Sequence, residues 1–463
     1  MVLTLFDKLW QEHLVETQDD GTDLIYIDRI FLHERTGSIA LSGLQADGRD
    51  VFFPEQVFCC MDHIVDTYPD RTDETTMPSG KDFIVATREG VQRTGINLFD
   101  LDDTRQGIVH VVSPEQGIVQ PGATLVCPDS HTCTQGAIGA LAWGIGSSEA
   151  EHALVTKTLR VRRPGTMRVR FEGRLSAGVT AKDMILYLIS QYGANGGHGY
   201  AVEFSGEVVQ ALELEARMTL CNMAVEFSAF TGLIAPDEKT IAYLQGRPFA
   251  PSGDQWHQAK DYWQSLKSDP DAVFNKELVV DCSQLGPQVT WGTSPEHGMQ
   301  IDSLIPAVDP DDSSRARALE YIDLQSGQAL LGTPVDAAFI GSCTNARISD
   351  LRLAASILQG RKVAEGVRAI CVPGSMQVKA QAEAEGLHLV FEEAGFEWRA
   401  SGCSMCFFAG GEHFGLKERV ISTTNRNFES RQGPQTRSHL ASPATVAASA
   451  ICGAVADPRE FLH

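Results

Sequence analysis

The sequence predicts an α/β protein, and three observations predict it. In the last third, short apolar runs alternate with amphipathic ones: residues 337–341, then 351–358 closed by Gly360, then 369–375, then 378–385 closed by Gly386. That rhythm indicates a parallel sheet with helical connections. In the first third, apolar runs at 24–32, 57–61 and 123–127 each stop at a cluster of polar residues, the pattern of a strand that ends at a site wall or at a solvated loop. The chain has 463 residues, 43% of them hydrophobic, which is enough for several cores and for two or three domains.

Taken in order, residues 1–10 place apolar side chains at helical spacing with charges between them, which reads as an amphipathic helix and not as a secretory leader. Residues 24–32 read as one strand ending at His33, 57–63 as a strand ending in Asp62 and His63, and 107–112 as a strand with His110 among aliphatics. After Pro121-Gly122 comes a run to Cys127 and then Asp129-Ser130-His131. Neighbours on extended chain point to opposite faces, so Ser130 and His131 do not suggest a nucleophile and its base. The glycine-rich stretch 136–148 follows no clear βαβ start, and small residues for close packing explain it better than a nucleotide loop. Ser148 then opens a helix to about residue 159.

The break at Arg160-Val161-Arg162-Arg163-Pro164-Gly165 reads as a domain junction, and the Pro, Asp and Ser rich passage 306–314 as a second. The expected domains are therefore 1–164, 165–305 and 306–463. Between the junctions, Thr180-Ala181-Lys182-Asp183 resembles a capping box opening a helix. On a helix spanning 218–226, Asn222 and Glu226 lie four apart and so share a face. Residues 252–268 read as a packing helix, and 277–281 and 288–291 as strands.

A formal net charge of -22 opposes association with phosphate backbones, so no nucleic-acid partner is expected. No apolar run approaches the ~18 residues that a membrane span needs, and with no export signal the expected location is cytoplasmic. Eleven cysteines in such a chain read as reduced thiols, most of them, including Cys59, Cys60 and Cys221, filling apolar space. Three stand apart. Cys343 follows a buried-strand pattern, in Gly341-Ser342-Cys343-Thr344-Asn345. Cys403 and Cys406 share one small-residue loop, Ser401-Gly402-Cys403-Ser404-Met405-Cys406. Their spacing suits one iron–sulfur cluster; a zinc knuckle, a redox pair and plain packing are the alternatives that spacing leaves open.

Three blocks, Cys127-Pro128-Asp129-Ser130-His131-Thr132, Ile340-Gly341-Ser342-Cys343-Thr344-Asn345 and Asn425-Arg426-Asn427-Phe428-Glu429-Ser430-Arg431, resemble in order the signature blocks of the aconitase superfamily. Tyr26-Ile27-Asp28-Arg29, Pro287-Gln288-Val289-Thr290-Trp291-Gly292-Thr293 and Gly395-Phe396-Glu397-Trp398-Arg399 extend the likeness along the chain. The resemblance implies a three-domain α/β/α core with mixed and parallel sheets, lacking the mobile fourth (swivel) domain. It implies one [4Fe-4S] cluster per chain on Cys343, Cys403 and Cys406, with one iron free of cysteine. Catalytic roles fall to Asp62, His63, His110, Asp129, His131 and Glu226. His63 becomes the acid that protonates a departing hydroxyl. Substrate contacts fall to His33, Ser130, Asn222, Asn425, Arg426 and Arg431.

The activity so implied is a hydro-lyase isomerising a small dicarboxylic hydroxy acid, first of all 2-isopropylmalate to 3-isopropylmalate, by dehydration and rehydration. The base that takes the carbon-bound proton is then expected on a separate small subunit carrying the swivel domain. Rival expectations are a dehydratase for another C2-substituted malate (citraconate or methylmalate, homoaconitate, an aryl-malate), an iron-sensing RNA-binding regulator and a zinc scaffold. Four departures from the family wording bear on the pocket: Pro128 for a usual glycine, His198 and Tyr200 in a rewritten glycine turn, Phe407-Phe408 after Cys406 for smaller residues, and Ser430 for glycine.

Overall fold

The computed structural model describes residues 2–309 and 311–462; Met1, Pro310, inside the 306–314 passage, and His463 lie outside the described residues. The chain forms two compact units, each assembled from separate stretches of sequence. One comprises the chain to Ile64, Ser79–Glu172 and Gly197–Val280; the other comprises Val65–Pro78, Gly173–Gly196 and everything from Asp281 onward.

The first unit is built on a five-stranded sheet in the spatial order Asn97–Phe99, Val57–Cys60, Arg29–His33, Thr124–Cys127, Leu141–Gly144, with every pairing parallel. The chain starts at the middle strand, winds outward to one edge, and then returns to the middle strand's other side. The reversal falls between Arg29–His33 and Thr124–Cys127, and parallel sheets bind ligands just beyond the strand ends at such a reversal. A second set, Gly165–Glu172, Tyr200–Ser205 and Thr231–Leu233, also pairs in parallel. Gly136 makes close packing possible: a Cβ there would meet the Gly232 carbonyl oxygen at 1.7 Å. The glycine-rich run thus serves packing, as its sequence suggests.

The second unit repeats the plan. Its sheet runs Phe396–Trp398, Arg368–Cys371, Ala337–Ile340, Arg419–Ser422, Arg437–Leu440, again all parallel, and reverses between Ala337–Ile340 and Arg419–Ser422. Ala337, Phe339, Ile370, Val372, Met405, Phe414 and Val420 form a core cluster there. Met405 therefore anchors the turn between Cys403 and Cys406. Burying one such side chain contributes about 1.5–3 kcal/mol, enough to hold a short turn in place.

Local signals are mostly realised. The first helix is Leu5–His13, capped by Thr4 and Asp7 and burying Leu5, Phe6, Leu9 and Trp10. Ala181–Tyr192 is helical, and the Asp183 carboxylate accepts the Thr180 N–H and O–H. Three expectations are corrected. Residues 24–32 form two strands, Asp23–Tyr26 and Arg29–His33, because the Asp28 N–H and carboxylate turn aside to Thr124. His110 lies not on a strand but on the helix Val109–Glu115, whose first N–H donates to the Asp62 carboxylate at 3.0 Å. The helix carrying Asn222 ends there (Leu214–Asn222), and Glu226 sits on a separate 3₁₀ turn, Val225–Phe227.

Candidate active site

In the first unit, the residues beyond the carboxyl ends of the central strands converge on one carboxylate. Asp129, two residues past Thr124–Cys127, directs Oδ2 at His63 Nε2 and at His110 Nε2, both 3.2 Å away. Its Oδ1 accepts the His131 backbone N–H at 3.0 Å. Burial alone would raise the Asp129 carboxyl; the charge and hydrogen bond of His110, with hydrogen bonds from His131 and His63, hold it well below the usual carboxylate range. Gly144 lets this turn pack closely, since a Cβ there would stand 2.6 Å from the Asp129 carbonyl oxygen.

Two histidines of this group are flanked by a second acid. His63 Nδ1 is 2.7 Å from Asp62 Oδ1, so its imidazole bridges two carboxylates. His131 Nε2 is 2.8 Å from Glu226 Oε1. An imidazole hydrogen-bonded to acids on its ring nitrogens is held in a fixed orientation, as a positioned proton carrier requires. His131 opens a 3₁₀ stretch, Ser130–Ile138, and Ser130 Oγ lies 3.3 Å from its Nδ1. The two side chains therefore share a side, contrary to the extended-chain expectation.

His33 stacks on His63 with ring centroids 3.7 Å apart. It is buried, and its Nε2 lies 2.9 Å from the Thr36 hydroxyl and 3.1 Å from the Pro128 carbonyl oxygen. Burial, followed by the repulsion of His63, pushes its pKa down to about 4. Asn222 is likewise buried, and its amide donates to Thr134 Oγ1 at 2.8 Å. Glu34, which the sequence reading did not single out, receives the backbone N–H groups of Asp62 and Ile64, and burial followed by the charge of Asp62 raises its carboxyl. It fixes the turn that presents His63. Its only sequence signal is its place directly after His33 at a strand end.

The low pKa of His33 has a consequence for stability. Between about pH 4 and the ordinary histidine value near 6.5, the unfolded chain binds a proton at this position that the native chain does not. Stability is therefore complete above about 6.5 and falls as pH drops toward 4. The loss is up to about 3 kcal/mol from this residue. Urea midpoints measured across that window are expected to fall less steeply for His33→Gln than for the unsubstituted chain, and equal slopes would rule the account out.

In the second unit, Cys343 follows the central strand Ala337–Ile340, and Asn425 follows its neighbour Arg419–Ser422 across the reversal. The Asn425 amide is 3.4 Å from Cys343 Sγ, and the Ser342 hydroxyl is 3.4 Å from Cys406 Sγ. The Cys406 N–H donates to the Cys403 carbonyl in a 3₁₀ turn, so one short loop presents both sulfurs. Ser342 and Ser404, each beside a cysteine, adopt φ of 76° and 47°. Left-handed backbone costs of order 1–3 kcal/mol at a residue other than glycine and concentrates where function imposes it.

These three thiols differ from the packing thiols. Cys59, Cys60, Cys127 and Cys371 are 0% exposed and burial pushes each of them well up, whereas Cys343, Cys403 and Cys406 each keep 7% exposure. None of the cysteines is in a disulfide. Three reachable sulfurs lined by an amide, a hydroxyl and a guanidinium, which suit negatively charged sulfur, fit an iron–sulfur cluster.

The loop that runs from Asn425 to Arg431 is braced from several sides. The buried Lys182 amine holds the carbonyls of Thr423 and Thr424, directly before Asn425. Asn427 is also buried, and its amide donates to Thr290 Oγ1, the Gly292 carbonyl and the Ser438 carbonyl. Arg431 Nη2 lies 3.8 Å from Cys406 Sγ, while Arg426 is half-buried on the same loop. Lys182 and Asn427 had no sequence signal as site residues beyond a capping pattern and a motif letter.

The family model described as aconitase (aconitate hydratase) matches residues 7–453. Large subunit 1 of 3-isopropylmalate dehydratase from Bradyrhizobium diazoefficiens is 50% identical over 463 residues, covering 98% of this chain and 96% of the relative. The large subunit of the same-named enzyme from Roseiflexus castenholzii is 50% identical over 471 residues, spanning all of both chains. With the parallel α/β architecture and the match over nearly its whole length, the chain belongs to the aconitase family.

Proposed function

We propose that this chain is the large, cluster-bearing subunit of a hydro-lyase that converts 2-isopropylmalate to 3-isopropylmalate by dehydration and rehydration. The observation that carries the reading is the 50% identity, end to end, with two large subunits of that name. Cys343, Cys403 and Cys406 would hold a [4Fe-4S] cluster, whose iron without a cysteine ligand supplies Lewis-acid chemistry toward hydroxyl and carboxylate oxygens. His63, held between Asp62 and Asp129, delivers the proton that the departing hydroxyl takes up. His110 and Asp129 keep that imidazole in register, and His131 with Glu226 positions a second proton carrier. Ser130, Asn222 and His33 shape the same wall. Asn425, Arg426 and Arg431 take the substrate carboxylates, for which a guanidinium fork is suited.

The base that removes the carbon-bound proton is supplied, in this reading, by a small subunit carrying the swivel domain. The relatives' designation as large subunits supports such a partner. None of the helices among the described residues is long and apolar enough to cross a membrane. We also propose the subdivision 1–164, 165–305 and 306–463, with limited proteolysis near 160–165 and 306–314 as its check.

The functional reading is tested by mixing the anaerobically reconstituted chain with its cognate small subunit. A panel of C2-substituted malates is then followed through the absorbance of the unsaturated acid formed. Turnover is expected only when both subunits are present and to be fastest with 2-isopropylmalate. Full turnover by the chain alone, or a clear preference for a methyl-, aryl- or homocitrate-type substrate, would overturn it.

A further inference from the structure

Arg431 is an ionic group without an acid. None of the described carboxylates pairs with it, and its Nε is buried with no hydrogen-bond partner. Two aromatic rings approach it instead: its guanidinium carbon lies 5.3 Å from the centroid of Phe407 and 5.1 Å from that of Phe428. Its Nη2 points toward Cys406 Sγ. The backbone locks this arrangement, because the Phe408 N–H donates to the Arg431 carbonyl at 2.7 Å and the Arg431 N–H donates to the Phe428 carbonyl at 3.0 Å. Tyr321 braces the other side of the loop: its hydroxyl accepts the Ser430 N–H at 2.8 Å and donates to the Thr436 carbonyl at 2.9 Å. Ser430 itself has φ of 62°.

We propose that Phe407 and Phe428 form an aromatic clamp that positions Arg431, taking the place of the carboxylate partner that a half-buried guanidinium commonly has. An acid in that position would neutralise the arginine and compete with an incoming carboxylate. A phenyl face attracts the cation through its quadrupole and leaves the hydrogen-bonding edge free. It also removes rotamer freedom before the substrate arrives, so less entropy is lost on binding. Phe407 and Phe428 are thus positioning residues, and Phe407 is one of the departures from the family wording noted above. The inference rests on Arg431 receiving a substrate carboxylate, as proposed above.

The test compares Phe407→Leu, which keeps apolar bulk and loses the ring face, with Phe407→Tyr, which keeps the face. Both are assayed in the reconstituted two-subunit enzyme with visible absorbance matched. For Phe407→Leu, KM for the dicarboxylic substrate is expected to rise about three- to tenfold with kcat little changed. Phe407→Tyr is expected to restore the original KM. A second readout needs no substrate: phenylglyoxal modification of Arg431, followed by peptide mass spectrometry, is expected to run several-fold faster in Phe407→Leu and at the original rate in Phe407→Tyr. An unchanged modification rate in Phe407→Leu, or equal loss in both variants, would overturn the clamp. A faster modification with no change in KM for any malate would leave the clamp standing and overturn the carboxylate-binding role of Arg431.

Discussion

A Cys343→Ser chain is expected to emerge from anaerobic reconstitution without the visible absorbance of an iron–sulfur cluster, and with turnover in the two-subunit assay down by more than about a hundredfold. Cys343 stands at the carboxyl end of the central strand of its sheet, on a turn held by the left-handed Ser342 and faced by the Asn425 amide. Serine fits the same space but offers a far poorer ligand to iron than a thiolate. Losing a mere outer partner of a metal ligand costs 10- to 100-fold, so losing the ligand itself must cost more. Cys371→Ala supplies the comparison: that thiol lies on the adjacent strand, fully buried and pushed well up, and its removal is expected to leave absorbance and turnover in place. Iron and sulfide retained in full by Cys343→Ser would refute the assignment.

Asp129→Asn is expected to lower kcat by about 10²- to 10⁴-fold, the range for loss of a positioned acid–base function. One oxygen of Asp129 faces two imidazole nitrogens at 3.2 Å each, and the other anchors the backbone of a third histidine. Asparagine keeps the outline and removes the charge, leaving His63 and His110 without the anion between them. A stability signature accompanies the loss. Because the native Asp129 carboxyl is held below its unfolded value, its contribution is complete above about pH 4 and is lost as pH falls further. The substituted chain is expected to lack that acid-side decline while keeping the one traced to His33. Turnover within a few-fold of the unsubstituted chain would show that this carboxylate does no more than fill space.

The reach of the sequence can be judged from particular residues. The strand before Cys343 was legible because Ala337–Ile340 is a continuous apolar run buried on both faces, the pattern of a central parallel strand. His110 reads locally as a strand residue because Val109, Val111 and Val112 are β-branched and favour extended chain. What reverses that preference is the carboxylate of Asp62, 47 residues upstream, accepting the first N–H of the helix. Asn222 and Glu226 keep their spacing of four but not a common helix, since the helix ends at Asn222.

By itself, then, the sequence determined the alternation of strands and helices, the cap at Thr180, and the residue types gathered at the strand ends. All of these depend on interactions within a few residues along the chain. Tertiary structure alone decided that three histidines share Asp129, that Glu34 and Lys182 hold the turns presenting the candidate groups, and that two phenylalanines flank Arg431. Contacts between residues tens or hundreds of positions apart are set by how strands order themselves in a sheet, and no local pattern of side chains encodes that order.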